Sequence, residues 1–239
     1  MSKISIAIPC YEMSGRGVEC LEYSFNKILS QTFTDFEVVV SDHSINNEIF
    51  LLCDLWSEKL NIKYIRNEKN RGSLGANLNS CVYNASGDII KFLMQDDFLL
   101  GENSLQLTVD AFDNNLSSTE EEIRYWLVSQ YYHTEDRKKL FRLHTPSISL
   151  NPLFINLIGT PSCLAVRREY ALDWDFNLRW YVDGDMYFRM LRNFGKPLFL
   201  NHPTVTQLLW SGQTTNKIIT SEIVNNEAKY LRQKYGDVV

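Results

Sequence analysis

Apolar residues follow two alternating rhythms through the first hundred positions. Short runs at Ile4–Pro9, Phe36–Ser41, Ile62–Ile65 and Asp88–Met94 are rich in Ile, Val and Phe. They predict four strands. Between them the apolar positions recur every three or four residues. Val18, Leu21, Phe25, Ile28 and Leu29 make one stripe, Ile49, Leu52, Leu55 and Trp56 a second, and Leu74, Leu78, Cys81 and Val82 a third. Each stripe is the inner face of an amphipathic helix. Alternating strands and helices predict right-handed βαβ units and a mainly parallel sheet. Strands that are apolar throughout predict helices on both faces of that sheet.

Beyond residue 100 the pattern loosens. Leu105–Phe112 and Gly184–Phe194 have helical spacing, the second closed by Gly195 and Pro197. Ile218–Tyr235 predicts a C-terminal helix, and Tyr125–Tyr131 and Cys163–Val166 predict strands. His133–Asn151 is polar and predicts a long loop containing Arg137, Lys138, Lys139, Arg142 and His144. It is a candidate lid, a holder for an anionic acceptor, or a solvated surface. No linker-like stretch divides the chain, so residues 1–239 are expected to form one α/β domain. Residues 1–100 would be one half, and 101–239 a second half with the C-terminal helix.

Composition narrows the class. The 239 residues are 44% hydrophobic and 22% charged, which excludes disordered, collagen-like and coiled-coil chains. Net charge is -5, without the broad basic footprint of duplex nucleic-acid binding. No run approaches the ~20 apolar residues of a membrane-crossing helix. Five scattered cysteines form no C-x-x-C pair. Their odd number, and a start unlike a signal peptide, give a cytoplasmic expectation.

In open parallel sheets, ligands bind beyond the carboxyl ends of the strands. The residues there are polar: Pro9, Cys10, Tyr11 and Glu12 after the first strand, Ser41 to Ser44 after the second, Asn67 after the third, and Gln95, Asp96 and Asp97 after the fourth. Two adjacent carboxylates repel, and Mg²⁺ or Mn²⁺ would offset that repulsion while keeping sites for phosphate oxygens. The alternative is a turn capped by Asp97 with a solvated Asp96. Arg71 and Gly72 stand before a predicted helix start, suited either to a diphosphate or to a plain loop. Asp42 could accept from a base imide, with Tyr11 stacking on the ring, or close an Asx-turn. Asp183 opens the helix of the second half as an N-cap or a general base. A base role requires burial or a nearby anion to offset the helix dipole.

The order of these pieces resembles the family 2 glycosyltransferases, inverting enzymes of the GT-A fold. The motifs are Pro9-Cys10-Tyr11-Glu12, Gln31 to Glu37 before Val39-Val40-Ser41-Asp42-His43-Ser44, Asn70-Arg71-Gly72 with Gly75 to Asn79, Ala85 to Asp97, and Val182-Asp183-Gly184-Asp185 ahead of Arg189-Met190. The resemblance covers roughly residues 3 to 200. It implies a Rossmann-like, mostly parallel sheet with a smaller acceptor-side subregion. It further implies a nucleotide-diphospho-sugar donor, with uridine the default base, and a glycan or lipid-linked oligosaccharide acceptor in bacterial surface-polysaccharide synthesis. The setting would be cytoplasmic or the inner face of the membrane, with peripheral membrane contact.

By the same resemblance Pro9, Tyr11, Glu12, Asp42, Arg71, Gly72 and Asp96 would bind the donor. Asp97, with Asp96, would hold Mn²⁺ or Mg²⁺, Asp97 as the direct ligand, and Asp183 would be the catalytic base. Departures stand at Glu12, Ser41, His43 and Met94, and the stretch Gln207 to Gln213 lacks a family histidine. These keep a second class open, a catalytically silent sugar-nucleotide or glycan-binding module. A nucleotidyltransferase would need a Gly-rich loop after the first strand. A response regulator would need an acidic pair there. Neither is present.

Overall fold

A computed structural model of the chain describes residues 3–116, 124–213 and 217–236. Their elements in chain order are β1 (Ile4–Cys10), α1 (Gly17–Leu29), β2 (Phe36–Asp42), α2 (Glu48–Trp56), β3 (Ile62–Arg66), α3 (Leu74–Asn84), β4 (Ile89–Phe92), β5 (Phe98–Leu99), α4 (Ser104–Leu116), β6 (Trp126–Thr134), β7 (Phe141–His144), β8 (Leu164–Arg167), α5 (Val182–Phe194), β9 (Leu198–Leu208) and α6 (Ser221–Tyr235).

The described residues build one nine-stranded sheet, ordered β3-β2-β1-β4-β8-β6-β9-β5, with β7 paired to β6. β1 to β4 are parallel. β8 then runs antiparallel between β4 and β6, β9 lies parallel to β6 and β5 antiparallel to β9. β1 and β2 are buried along almost their full length, as their unbroken apolar sequences predict.

The second half corrects several expectations. His133–Asn151 is not one loop: β6 extends to Thr134, and β7 pairs back onto it through Tyr131↔His144 and Tyr132↔Leu143. β5 and β9 were outside the predicted elements. In the first half, two residues of the apolar stripes face outward, Leu29 on α1 and Leu55 on α2.

Much of the polar sequence around the sheet is scaffold. Gln31 donates to the Lys27 and Gly101 carbonyls and accepts from Leu105 N–H, which ties α1 to α4. Glu37 accepts from Ser5 Oγ and from Ser86. Asn77 donates to the Cys10 carbonyl and accepts from Ser41 Oγ at 2.6 Å. Asn79 bonds both the N–H and the carbonyl of Trp174. Each satisfies a buried polar group that would otherwise cost about 1–3 kcal/mol.

Candidate active site

Strand register brings together residues far apart in sequence. Cys10 pairs with Asp42, and Asp42 with Arg66, so β1, β2 and β3 end level. β4 stops where Phe92 pairs with Ala7, three residues short of the end of β1. The chain then crosses the sheet top as Met94–Asp97, turned by the Asp97 N–H donating to the Met94 carbonyl. Above these ends lies a cavity of about 780 Å³, within the ~300–1,000 Å³ range of small-molecule sites. Pro9, Tyr11, Glu12, Arg71, Gly72, Asp96, Asp97 and Asp183 all line it.

On the β1 side, Tyr11 N–H donates to Gln95 Oε1 at 2.9 Å, and Gln95 Nε2 donates to the Gly17 carbonyl. Glu12 accepts from Ile45 N–H, so its carboxylate braces the loop after β2. Gly72 adopts φ +88, a left-handed conformation open to glycine at little cost. This aims its N–H at His43 Nδ1, 3.4 Å away. Burial pushes His43 below its usual range, and its Nε2 is buried with no partner among the described residues. Arg71 is 38% exposed and contacts Glu68 at 3.8 Å, so its guanidinium keeps the reach that an incoming anion needs.

Asp42 stands apart from this group. It is fully buried and is not among the residues lining the cavity. One oxygen accepts from Ser44 N–H at 2.8 Å; the other accepts from Tyr64 Oη at 2.7 Å and lies 3.5 Å from Arg66. Its hydrogen-bonding capacity is spent shaping the end of β2.

The adjacent carboxylates differ sharply. Asp97 is 2% exposed. Its Oδ2 accepts from Ser162 Oγ at 2.6 Å and Thr160 Oγ1 at 3.2 Å, and its Oδ1 from Leu208 N–H at 3.2 Å. Burial, then the charge of Asp96, hold its carboxyl well above the usual range. Asp96 is half-buried on the cavity wall, where Trp210 Nε1 donates to its Oδ2 at 3.0 Å. Burial raises Asp96 too, opposed by hydrogen bonds from Trp210 and Gln213 and by the Arg16 charge. Arg16 stacks over the Trp210 ring at 4.7 Å.

Among the described residues no three His, Cys, Asp or Glu side chains cluster as a metal cage. The donor set fits a cation held by one or two carboxylates plus substrate phosphates, the usual manner of Mg²⁺. Both carboxylates line the cavity: Asp96 is half-buried with Oδ2 accepting from Trp210, and Asp97 is buried with both oxygens accepting from protein donors.

Beneath the pair, Lys91 is 1% exposed in β4 and donates to the Ser162 carbonyl. Burial pushes its ammonium down to about 8. The native state therefore loses this proton before the unfolded chain does, and stability rises with pH from about 8 towards 10.5. Lys91→Met abolishes that rise. Between pH 7 and 9 the wild type should gain about 1 kcal/mol, a few degrees in melting temperature, over the variant. Parallel curves would remove the buried charge from the account.

On the far wall, α5 splits its two acidic residues. Asp183 lines the cavity, and its Oδ1 is buried without a hydrogen-bond partner among the described residues. Burial alone raises it to about 7. Tyr181 is the helix N-cap residue, so the capping alternative for Asp183 does not hold. Asp185 turns the other way. It binds Arg189 at 2.8 Å, Lys234 at 3.0 Å and Tyr235 at 2.5 Å. The turn entering α5 is fixed by Glu227, which accepts from the N–H groups of Arg179, Trp180 and Tyr181. Gly184 is required because a Cβ would meet the Leu153 carbonyl oxygen at 2.5 Å.

Sequence reasoning missed the wall made by Phe154, Arg179, Trp180 and Tyr181. Its one signal was an aromatic pair, Trp180-Tyr181, outside any helical or strand period just before Asp183.

A family model described as "Glycosyl transferase family 2" matches residues 5–173. An uncharacterized protein of Mycobacterium tuberculosis, MT1568, is 28% identical over 203 residues, covering 79% of this chain and 61% of the relative. A Campylobacter jejuni GalNAc(5)-diNAcBac-PP-undecaprenol beta-1,3-glucosyltransferase is 30% identical over 101 residues, covering 42% and 31%. The chain thus spans less than two thirds of the length of either relative. Among solved structures, Staphylococcus aureus TarS 1-349 in complex with UDP-GlcNAc superposes with a TM-score of 0.73 at 19% identity, covering 96% of this chain and 65% of that one. This likeness establishes the fold.

Proposed function

The chain belongs to glycosyl transferase family 2, and from that premise we propose that it is an inverting transferase acting on a nucleotide-diphospho-sugar, with a UDP-sugar as the donor. The observation that carries this reading is Asp183. It is a carboxylate raised to about 7 by burial, with an unpartnered oxygen, in the cavity that also holds the strand-end groups. A purely structural aspartate at that position would be paired, as Asp185 is.

The acceptor hydroxyl attacks the anomeric carbon from the side opposite the diphosphate. The bond from that carbon to the diphosphate oxygen breaks as the new glycosidic bond forms, with inversion. The hydroxyl proton passes to Asp183, and the nucleoside diphosphate departs. A base whose proton affinity lies near operating pH suits that transfer. Tyr11 and Glu12 flank the base and ribose, Gly72 lets the backbone approach closely, and Arg71 meets the diphosphate. Bound Mn²⁺ or Mg²⁺, held by Asp96 with Asp97 behind it, would supply charge against the leaving diphosphate.

A glycan or lipid-linked oligosaccharide of bacterial surface-polysaccharide synthesis is the proposed acceptor, met at the cytoplasmic side of the membrane. The Campylobacter relative, named for an undecaprenol-linked acceptor, supports this class. Among the described residues no helix is long and apolar enough to cross a membrane.

Thermal melting with UDP-, GDP- and dTDP-sugars, each with Mn²⁺ and with EDTA, tests the donor site. A UDP-sugar with Mn²⁺ at ~100 times its Kd adds about 2.7 kcal/mol. The same shift in EDTA would remove the cation. No shift with any nucleotide would overturn the reading in favour of a silent module.

A further inference from the structure

We propose that residues 137–160 form a face that docks on an anionic lipid bilayer. The charge pattern is the first ground. The whole chain has 24 Lys and Arg against 29 Asp and Glu, yet from Arg137 to Thr160 the stretch holds Arg137, Lys138, Lys139 and Arg142 and no acidic residue, with Glu135 and Asp136 just before it at the root. The second ground is exposed apolar surface in the same stretch. Phe141, Leu143, Leu150, Ile155 and Leu157 are all solvent-exposed, Leu150 completely.

These side chains belong to one folded ribbon. His144 Nε2 and Ser147 N–H both contact the Leu157 carbonyl at 3.1 Å, and Ser149 Oγ donates to the Ile155 carbonyl at 2.7 Å. The chain therefore doubles back, placing Leu157 and Ile155 beside the continuation of β7, with Leu150 at the tip. The root of the hairpin is anchored to α1. Arg137 pairs with Glu19 at 2.5 Å and stacks on Tyr23, while Lys138, Lys139 and Arg142 point to solvent. Cations flanking exposed leucines and a phenylalanine combine the two attractions that hold a peripheral protein at an anionic membrane surface. Lys138, Lys139 and Arg142 beside exposed apolar side chains complement an anionic plane with an apolar interior.

The same segment supplies Leu153, Phe154, Asn156 and Thr160 to the cavity wall. Docking would therefore set the acceptor side of the cavity at the bilayer. That consequence rests on the proposed function, whereas docking itself does not.

Co-sedimentation with vesicles of phosphatidylcholine, alone or mixed with phosphatidylglycerol, tests the proposal on the full chain. The wild type should bind the mixed vesicles, bind the neutral ones at least tenfold more weakly, and release as NaCl rises. Replacing Lys138, Lys139 and Arg142 together by Gln should lower partitioning roughly 100-fold. Leu150→Ser with Ile155→Ser should lower it at least tenfold. Both variants should keep the wild-type melting temperature and donor-induced shift. Equal binding to neutral vesicles, no binding, or wild-type binding by either variant would overturn the proposal. So would self-association in sedimentation velocity that Leu150→Ser abolishes while vesicles capture nothing.

Discussion

Asp183→Asn should lower turnover by about 10³-fold while donor binding, read by the melting shift, stays within a factor of a few. The substitution keeps the size of the side chain and removes its proton affinity. Wild-type kcat/KM should rise tenfold per pH unit below about 7 and level off above it, because burial holds the Asp183 carboxyl at about 7 and only the ionised form accepts a proton. A raised carboxyl also destabilises the native state. Its folded affinity for the proton exceeds the unfolded one, so stability is lost as pH rises from 3.8 through about 7. At pH 8 the variant should therefore melt higher than the wild type by about 2 kcal/mol. That is roughly half of what three pKa units represent, because the side chain keeps part of its exposure. An inactive variant that melts below the wild type would place the defect in folding, and one that melts the same would remove the raised carboxyl from the account. Unchanged turnover would remove Asp183 from the base role.

The second large effect separates two neighbours. Asp96→Ala should abolish the Mn²⁺-dependent part of donor binding and lower kcat/KM about 10²-fold or more, with little change in the melting temperature of the free protein. Asp97→Ala should act first on the fold. It leaves Ser162 Oγ, Thr160 Oγ1 and Leu208 N–H without their acceptor, a loss of roughly 2–4 kcal/mol. For a chain of this size that is on the order of 10 °C. Sequence reading expects Asp97 as the direct ligand, so the pair is a sharp test. Equal metal response in wild type and Asp96→Ala, with the response lost in Asp97→Ala at unchanged stability, would restore that assignment.

The parallel half of the fold was legible because its signals are periodic. Buried parallel strands must be apolar throughout, and helices lying on them must show a stripe. β9, by contrast, has the sequence Leu-Phe-Leu-Asn-His-Pro-Thr-Val-Thr-Gln-Leu and is exposed over much of its first half, so neither rhythm appears. β5 has two residues, too few for any period. β7 is exposed along its length and so kept the look of a polar loop.

In the site, the positions of Tyr11, Arg71, Asp96 and Asp183 followed from the rule that strand ends and helix starts gather ligands. What separated Asp96 from Asp97, and Asp183 from Asp185, was invisible in sequence. It depends on donors 49 to 114 residues away, among them Lys234, Leu208 and Trp210. Asp42 carries the same lesson. It ends β2 at the edge where ligands are expected, yet Tyr64 and Ser44 occupy its oxygens.

The clamp on α5 has a consequence in time. Glu227 fixes the turn before Asp183, while Lys234 and Tyr235 hold the turn after it through Asp185. The ribosome emits Lys234 and Tyr235 some fifty residues behind the aspartate they secure. A nascent chain can thus complete β1 to β4 well before Asp183 is seated. The far wall of the cavity would therefore take its shape only after α6 has emerged, whereas the strand ends facing it are already in place.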